Sequence, residues 1–269
     1  MTWPRMREYE VFTPSPGGEL TVLLEEKSED GYSDYLVRFD SDGGFGSASP
    51  VQGHFRGSYL GSFPSGDLLI GGVELPPDPK TIPAGVPLSP NRAPFVGIFD
   101  SRGQLLRRVV LPNDAKAKDE AGEGPAGQPY IKADAAYQAA MVFSFVNTGQ
   151  DGDVYLTRDT NGGPVYSISP SGAALDVIDL TPPRGGTLRD VKVAGRRLMA
   201  VYSIAKANTD ETAAVVVREL DLYNGQQLGD YHHSDFHIGG LLACASPPYY
   251  TFLGSNEKGK LTLVRTTPQ

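Results

Sequence analysis

Short stretches of β-branched and aromatic residues, separated by tight turns, run along most of the chain. The stretch 151–183 shows this pattern most clearly, and strands are predicted there at 154–157, 165–169 and 175–180. Corners such as Asn161-Gly162-Gly163 and Pro170-Ser171-Gly172 lie between these strands. Turn residues at each corner with strand formers between them are typical of an antiparallel meander.

The same pattern recurs along the chain and predicts five units of three or four strands, beginning near residues 8, 59, 141, 188 and 241. Repeats of about 40–50 residues with four strands each are typical of propeller blades. We therefore predict an all-β fold, a β-propeller of four-stranded antiparallel blades with five recognisable blades. The prediction is a single domain over 1–269, with long loop insertions at 75–94 and 112–138.

The two ends of the chain bear on ring closure. The last unit ends one strand short, and an open sheet edge is an association hazard. The segment 9–24 aligns with 59–72 as an inner strand, so it does not supply the missing outer strand. We therefore expect that Met1 is not the natural start and that an upstream segment carries a sixth blade and a signal peptide. In that case the protein is exported or periplasmic; with Met1 as the natural start it is cytoplasmic.

Four segments share a strand–turn–Gly pattern: 35–43, 95–103, 151–155 and 165–172. They resemble the NHL-like and TolB-like β-propeller superfamily. The resemblance implies the fold, usually with six blades, and many such proteins are exported. Some relatives are metal-dependent lactonases or lyases with ligands at the mouth of the channel. These segments are fold motifs, so the resemblance transfers no catalytic position.

Composition narrows the classes of partner. The chain has 32 acidic and 24 basic residues and a net charge of −8, so its surface repels phosphate backbones. We therefore predict no nucleic-acid partner. No apolar run approaches the roughly 18 residues of a membrane span, so no membrane span is predicted. The single cysteine, Cys244, lies in an apolar run and is predicted to be a buried structural residue.

The propeller prediction places several polar loops on one face. That face carries a predicted binding site, formed by His54, Arg56, Arg158, Asp159 and His232. The proline-rich loop 75–94 is predicted to form a rim or lid there. The low-complexity segment 113–128 is predicted to be disordered, with a short helix at 114–121 as the alternative.

A possible metal site lies in the histidine-rich segment 231–238. In an extended segment, alternation puts His233, Asp235 and His237 on one side, a set able to hold a divalent transition metal. The alternative is a polar loop whose histidines bond to backbone and water. The fragments 40–44 and 159–163 resemble parts of calcium loops but lack the distal Glu, so we predict Asx-turns.

These observations leave two functions open. The first is a non-catalytic module that binds a protein, a peptide or a small molecule and needs no cofactor. The second is a metal-dependent hydrolase or lyase, with one divalent metal ion at the channel mouth held by His233, Asp235 and His237 together with His54.

Overall fold

The computed structural model describes most of the chain. The described residues are 11–15, 17–28, 31–53, 55–74, 94–112, 122–123, 129–130, 145–157, 162–205, 212–233, 238–246, 249–255 and 261–266. The chain divides into two compact units. Unit 1 comprises 1–142, 152–154 and 168–175, and unit 2 comprises 143–151, 155–167 and 176–269.

Every element whose bounds the structure gives is a β-strand. The strands up to residue 130 are β1 (Val11–Pro14), β2 (Leu20–Ser28), β3 (Gly31–Phe39), β4 (Phe45–Pro50), β5 (Phe55–Ser62), β6 (Leu68–Glu74), β7 (Pro94–Phe99), β8 (Leu105–Arg108), β9 (Gly122–Glu123) and β10 (Pro129–Tyr130). The later strands are β11 (Phe145–Thr148), β12 (Val154–Thr157), β13 (Gly163–Ile168), β14 (Ala174–Leu180), β15 (Gly186–Ala194), β16 (Arg197–Ala205), β17 (Thr212–Asp221), β18 (Gln227–His233), β19 (Ile238–Ser246), β20 (Tyr249–Ser255) and β21 (Leu261–Thr266).

Each sheet is a meander in which strands pair in chain order. Among the described residues, four sheets have four strands: β1–β4, β5–β8, β11–β14 and β15–β18. The sheet β19–β21 has three, and β9 pairs with β10 alone. The predicted all-β architecture of antiparallel four-stranded sheets is confirmed. The number of blades, the closure of the ring and the single-domain assignment stay predictions. No helix in the described part of the chain is long and apolar enough to cross a membrane.

One five-residue turn recurs at the sheet corners. In the β3–β4 turn the amide of Asp40 donates to the carbonyl of Gly44, and the amide of Gly43 donates to the carbonyl of Asp40. Gly43 has a φ of 82° and Gly103, at the same place in the β7–β8 turn, has 80°. A type I turn followed by a glycine in the left-handed region closes a three-residue hairpin loop. Asp40 Oδ1 accepts the amides of Asp42 and Gly44, at 3.0 and 2.6 Å, so the predicted Asx-turn at 40–44 is confirmed.

In unit 2 the sheet β15–β18 is buried on both faces. Leu198, Ala200 and Tyr202 of β16 pack into one apolar cluster, and the alternating Met199 and Val201 pack into another. A strand buried on both sides needs apolar residues at consecutive positions, which explains the apolar run 198–202. Tyr250 and Phe252 are also buried in the second cluster.

Unit 1 has its own core between its first two sheets. The residues of this core cluster are Leu23, Leu36, Phe55, Leu60, Leu68, Ile70, Phe95 and Phe99. Leu23 and Leu36 come from β2 and β3 and are directly paired across the two strands. The core therefore holds β5, the first strand of the second sheet, against β2 and β3.

Two segments have weak local signals. The Gly- and Ser-rich segment from Phe45 is expected to be the fourth strand of the first unit although it is poor in strand formers, and it forms β4 by pairing with β3. The segment 113–128 is predicted to be disordered, but Gly122–Glu123 pairs with Pro129–Tyr130. The alternative helix at 114–121 and the loop 75–93 lie outside the described residues.

Candidate functional site

Two acidic residues lie opposite each other on neighbouring strands of unit 1. Glu25 on β2 pairs directly with Asp34 on β3, so their side chains lie on the same face of the sheet. Both residues are buried, with exposed fractions of 8% and 6%. Like charges directly opposite each other in a sheet are destabilising, and burial increases that cost. The pair therefore needs compensation from neighbouring groups.

The second sheet supplies this compensation from β5. Arg56 Nε donates to Glu25 Oε2 at 2.5 Å, and the amide of Gly57 donates to Asp34 Oδ2 at 2.7 Å. Gly57 allows this approach because a Cβ there would lie 2.5 Å from Leu23 Cδ2 and 3.1 Å from Asp34 Oδ2. One guanidinium thus faces two carboxyl groups, and a backbone amide reaches the second of them.

Asp34 titrates far from its ordinary range. Burial is the largest influence and, with the charge of Glu25, raises the pKa of Asp34 from 3.8 to about 7. The amide of Gly57 and the charge of Arg56 oppose that rise. This carboxyl is therefore only partly ionised near neutral pH, which is uncommon for an aspartate.

Asp34 lies at the wall of a small cleft. The cleft has a volume of about 90 Å³ and is lined by Ser33, Asp34, Tyr35, Pro50, Val51, Gly53 and Phe55. We call it the Asp34 cleft. Its lining combines an acidic residue with aromatic, apolar and polar ones, and the exposed Ser33 is among them.

Phe55, the phenylalanine that lines the Asp34 cleft, is fixed in place by neighbouring aromatic rings. The ring of Phe55 stacks on Phe95 with centroids 4.2 Å apart and planes 16° from parallel. Phe99 contacts both rings. Gly53 has a φ of 136°, and a Cβ there would lie 2.8 Å from the Phe55 ring. The wall is therefore fixed by packing and by a glycine that leaves room for the ring.

The structure places one predicted binding residue at this site and another elsewhere. Arg56 is the half-buried partner of Glu25. His232 lies in unit 2, exposed on β18, two positions after Asp230, whose pKa is lowered chiefly by its hydrogen bond from Arg218. His54, Arg158 and Asp159 lie outside the described residues, so their predicted binding role stays a prediction.

The predicted metal ligands are described only in part. His233 is the last residue of β18 and pairs with Val215, while Asp235 and His237 lie outside the described residues. Within the described residues no group of three potential ligands comes together. The metal site stays a prediction.

Sequence reasoning missed Glu25 and Asp34. A signal was present, because Glu25 follows Leu23 by two positions and Asp34 precedes Leu36 by two, so each extends a row of buried residues. Polar residues near strand ends usually lie in solvent, which is why this alternation was not informative alone.

Unit 2 contains a buried carboxylate of another kind. Arg197 Nη1 donates to both carboxylate oxygens of Glu219 at 3.0 Å. The hydroxyl of Tyr231 donates to Glu219 Oε2 at 3.3 Å, and the hydroxyl of Tyr250 donates to Oε1. Burial and the carboxylate raise the pKa of both tyrosines, so both hydroxyls stay protonated. Three side chains therefore donate hydrogen bonds to Glu219, and each of its two oxygens accepts two of them.

Comparison with known proteins gives structural likeness without sequence likeness. No protein-family model matches the chain, and no curated protein matches it in sequence. Hydrazine synthase of Kuenenia stuttgartiensis is 12% identical over 96% of this chain and 59% of that one, with a TM-score of 0.51. A protein of unknown function from Dyadobacter fermentans is 10% identical over 98% and 79%, with a TM-score of 0.54. Virginiamycin B lyase from Staphylococcus aureus is 13% identical over 97% and 84%, with a TM-score of 0.38.

These likenesses concern the fold alone. The chain spans 59% of the length of the hydrazine synthase chain. At such identities a shared architecture says nothing about activity, because one fold hosts many functions. The four-stranded antiparallel sheets and the two likenesses with TM-scores above 0.5 define the class as an all-β, β-propeller-like protein.

Proposed function

We propose that the protein is a ligand-binding module of the NHL-like or TolB-like propeller type, and that it holds one group of its ligand in the Asp34 cleft. The observation that carries this proposal is the cleft that Asp34 lines, because Asp34 is a buried acid with a raised pKa and pairs with a second acid across the strands. A buried, shifted carboxyl in a concave site is a feature of functional sites.

The size of the Asp34 cleft supports binding of a group rather than enclosure of a substrate. Its volume of about 90 Å³ is that of about three water molecules in the liquid. Pockets that enclose a drug-sized molecule have volumes of roughly 300–1,000 Å³. The cleft therefore accepts one functional group, while the remainder of the ligand lies on the neighbouring surface.

Energetics support the same proposal. Burial, with the charge of Glu25 as a smaller contribution, raises the pKa of Asp34, so keeping this carboxyl ionised in the folded protein costs stability. Replacement by an apolar pair would avoid that cost in a core selected for packing alone. Binding sites keep such groups because a ligand uses them.

A blocked-cleft variant tests the proposal. Ser33→Trp places a large ring at the exposed edge of the Asp34 cleft, and Ser47→Trp places the same ring at an exposed position of β4 outside the lining. We expect small fragments to shift the amide NMR resonances of Ser33, Val51 and Gly53 in the wild type and in Ser47→Trp, but not in Ser33→Trp. Equal binding to all three proteins, or no fragment binding at the cleft, would overturn the proposal.

The second candidate function is the metal-dependent hydrolase or lyase with His233, Asp235 and His237 as ligands. Its support is that β18 extends to His233, the first of the three proposed ligands. Elemental analysis of the purified protein tests it, with one divalent ion per chain expected and His237→Ala expected to lose that ion. A metal content unchanged in His237→Ala would remove this ligand set.

A further inference from the structure

The last strand of each sheet has one hydrogen-bonded neighbour, so its outer edge is open to a further strand. In the described sheets that contain more than two strands, the last strands are β4, β8, β14, β18 and β21. An open edge invites pairing with another chain, and proteins reduce this hazard with bulges, charged side chains or short strands. The five last strands differ in how far they carry such features.

Four of these strands carry them clearly. The pairings β3–β4, β7–β8 and β17–β18 each contain a register shift at the last strand. A β-bulge bends its strand and increases the local twist, which disturbs pairing with a partner. The fourth strand, β14, contains Asp176 and Asp179, and charged residues on an edge oppose the addition of a strand.

β21 is a more regular edge. It pairs with β20 at six consecutive positions, from Leu261 to Thr266, without a register shift. Its sheet has three strands in the described part of the chain, so β21 holds the third place, where β3, β7, β13 and β17 each have a further neighbour. Arg265 is its one charged residue. A straight edge of this length suits the addition of one more strand.

One face of β21 exposes a large apolar side chain. Leu263 is 69% exposed, the highest value among the exposed large hydrophobic side chains of the described residues. It is paired with Leu253, whereas the neighbouring Phe252 packs in a core cluster. Because successive residues of a strand point to opposite faces, Leu263 lies on the face away from that cluster. A partner strand therefore has to bring apolar surface beside Leu263.

The sequence of β21 supplies such a partner by pairing with itself. In an antiparallel pair centred on Leu263, this residue lies opposite Leu263 of the second copy, and Arg265 lies opposite Leu261. The two arginines are then four positions apart along the strands, about 13 Å, which is longer than the Debye length of about 10 Å at 0.1 M salt. Apolar residues therefore meet, and like charges stay apart.

We propose that two copies of this chain associate through β21, as an antiparallel strand pair in which the two Leu263 side chains meet at a two-fold axis. The two three-stranded sheets then form one continuous sheet of six strands. A strand pair of this length buries less than the roughly 1,200 Å² of a stable interface, so the dimer is weak and depends on concentration. The surface lies in unit 2 and is independent of the proposed ligand site at the Asp34 cleft.

The test is analytical ultracentrifugation of the full chain at about 0.15 M salt, over concentrations from about 5 to about 500 μM. We expect the wild type to change from monomer to dimer within this range. Leu263→Asp and Leu263→Lys each place like charges directly opposite each other, so each variant alone should stay monomeric. An equimolar mixture of the two variants puts a carboxylate opposite an ammonium and should restore the dimer.

Leu175 on β14 provides the matched control. Its side chain is 64% exposed, and Leu175→Asp and Leu175→Lys make the same changes of charge on the last strand of another sheet. Both control variants should dimerise as the wild type does. Circular dichroism checks that all four variants keep the β-sheet content of the wild type.

Each of three outcomes would overturn the proposal. A wild type that stays monomeric at about 500 μM would do so. Hydrogen exchange would then distinguish the reason, because slow β21 amides mean that the chain covers its own edge, and fast ones mean that the edge is left to a different protein. Dimerisation retained in Leu263→Asp would place the contact elsewhere. Loss of the dimer in both variants without recovery in the mixture would show that the two Leu263 residues do not lie opposite each other.

Discussion

Asp34 in unit 1 and Glu219 in unit 2 are both buried carboxyl groups between sheets, but their partners differ. The two carboxylate oxygens of Glu219 accept hydrogen bonds from Arg197, Tyr231 and Tyr250. Asp34 accepts a backbone amide, faces Glu25 and borders a cleft. Burial alone therefore does not identify a site. The difference lies in whether neighbouring donors already balance the charge.

The two groups consequently affect stability in different ways. The folded-state pKa of Asp34, about 7, exceeds its unfolded value of 3.8, so the folded protein keeps a proton that the unfolded chain has lost. Stability from this group is fully present below about pH 4 and is lost as the pH rises to about 7. A carboxylate stabilised by donors, such as Glu219, is instead a structural tie between strands.

Removing the structural carboxylate should have the largest effect. We expect Glu219→Ala to lower the free energy of unfolding by about 3 kcal/mol, because Arg197 and two tyrosine hydroxyls lose their shared acceptor. Urea denaturation measures the change. Glu19→Ala, at an exposed turn position, should change stability by less than about 0.5 kcal/mol. A loss below about 1 kcal/mol in Glu219→Ala would contradict the contrast with Asp34.

Neutralising Asp34 should have the opposite effect on stability, because it removes a group that destabilises the fold as the pH rises. Between pH 5 and pH 8 the wild type should lose about 2–3 kcal/mol of stability through this group, and Asp34→Asn should not show that loss. Denaturation curves of the two proteins at both pH values measure the difference. Asp42→Asn should keep the wild-type pH dependence. Parallel pH profiles for wild type and Asp34→Asn would show that Asp34 titrates normally.

Filling the close approach at Gly57 should have an intermediate effect. We expect Gly57→Ala to cost about 1–3 kcal/mol, because its methyl group would meet Leu23 and the Asp34 carboxyl. Gly17→Ala is the matched control, since the nearest heavy atom to its Cβ is 3.7 Å away. Thermal and urea unfolding measure both variants. Equal stabilities would mean that β5 does not depend on this contact.

Deleting one hydroxyl beside Glu219 should have the smallest effect. The Tyr231 hydroxyl donates at 3.3 Å, so Tyr231→Phe should cost about 0.5 kcal/mol. Tyr223→Phe, whose exposed ring lies 5.3 Å from the Arg196 guanidinium, should be neutral. The same denaturation assay measures both. A large loss in Tyr231→Phe would mean that Glu219 depends on each donor separately.

Much of the fold could be predicted because its signals are local. Residues such as Asp100 and Gly103 specify a turn through their own backbone and side-chain bonds, without help from distant parts of the chain. β4 was harder to predict, because its residues are poor strand formers and its pairing comes from β3. Local propensity is a weak guide where a neighbouring strand decides the conformation.

The candidate site was predictable only in part. Arg56 was predicted as a binding residue from its place on one face of the predicted propeller, but its carboxyl partners were not predicted. Glu25 and Asp34 meet across one strand pair, and Arg56 reaches them from another sheet. Such a combination depends on packing between sheets, which residue spacing along the chain does not encode.

The chain-order pairing of every sheet also has a consequence for folding kinetics. Each described sheet is formed from one continuous stretch, so its strands find each other by closing short hairpins. Contacts that are close in sequence form quickly, whereas packing between sheets joins distant residues and follows later. We expect native-state hydrogen exchange to divide the amide protons into groups that match single sheets. The sheet β15–β18, buried on both faces, should then be the slowest of these groups to open.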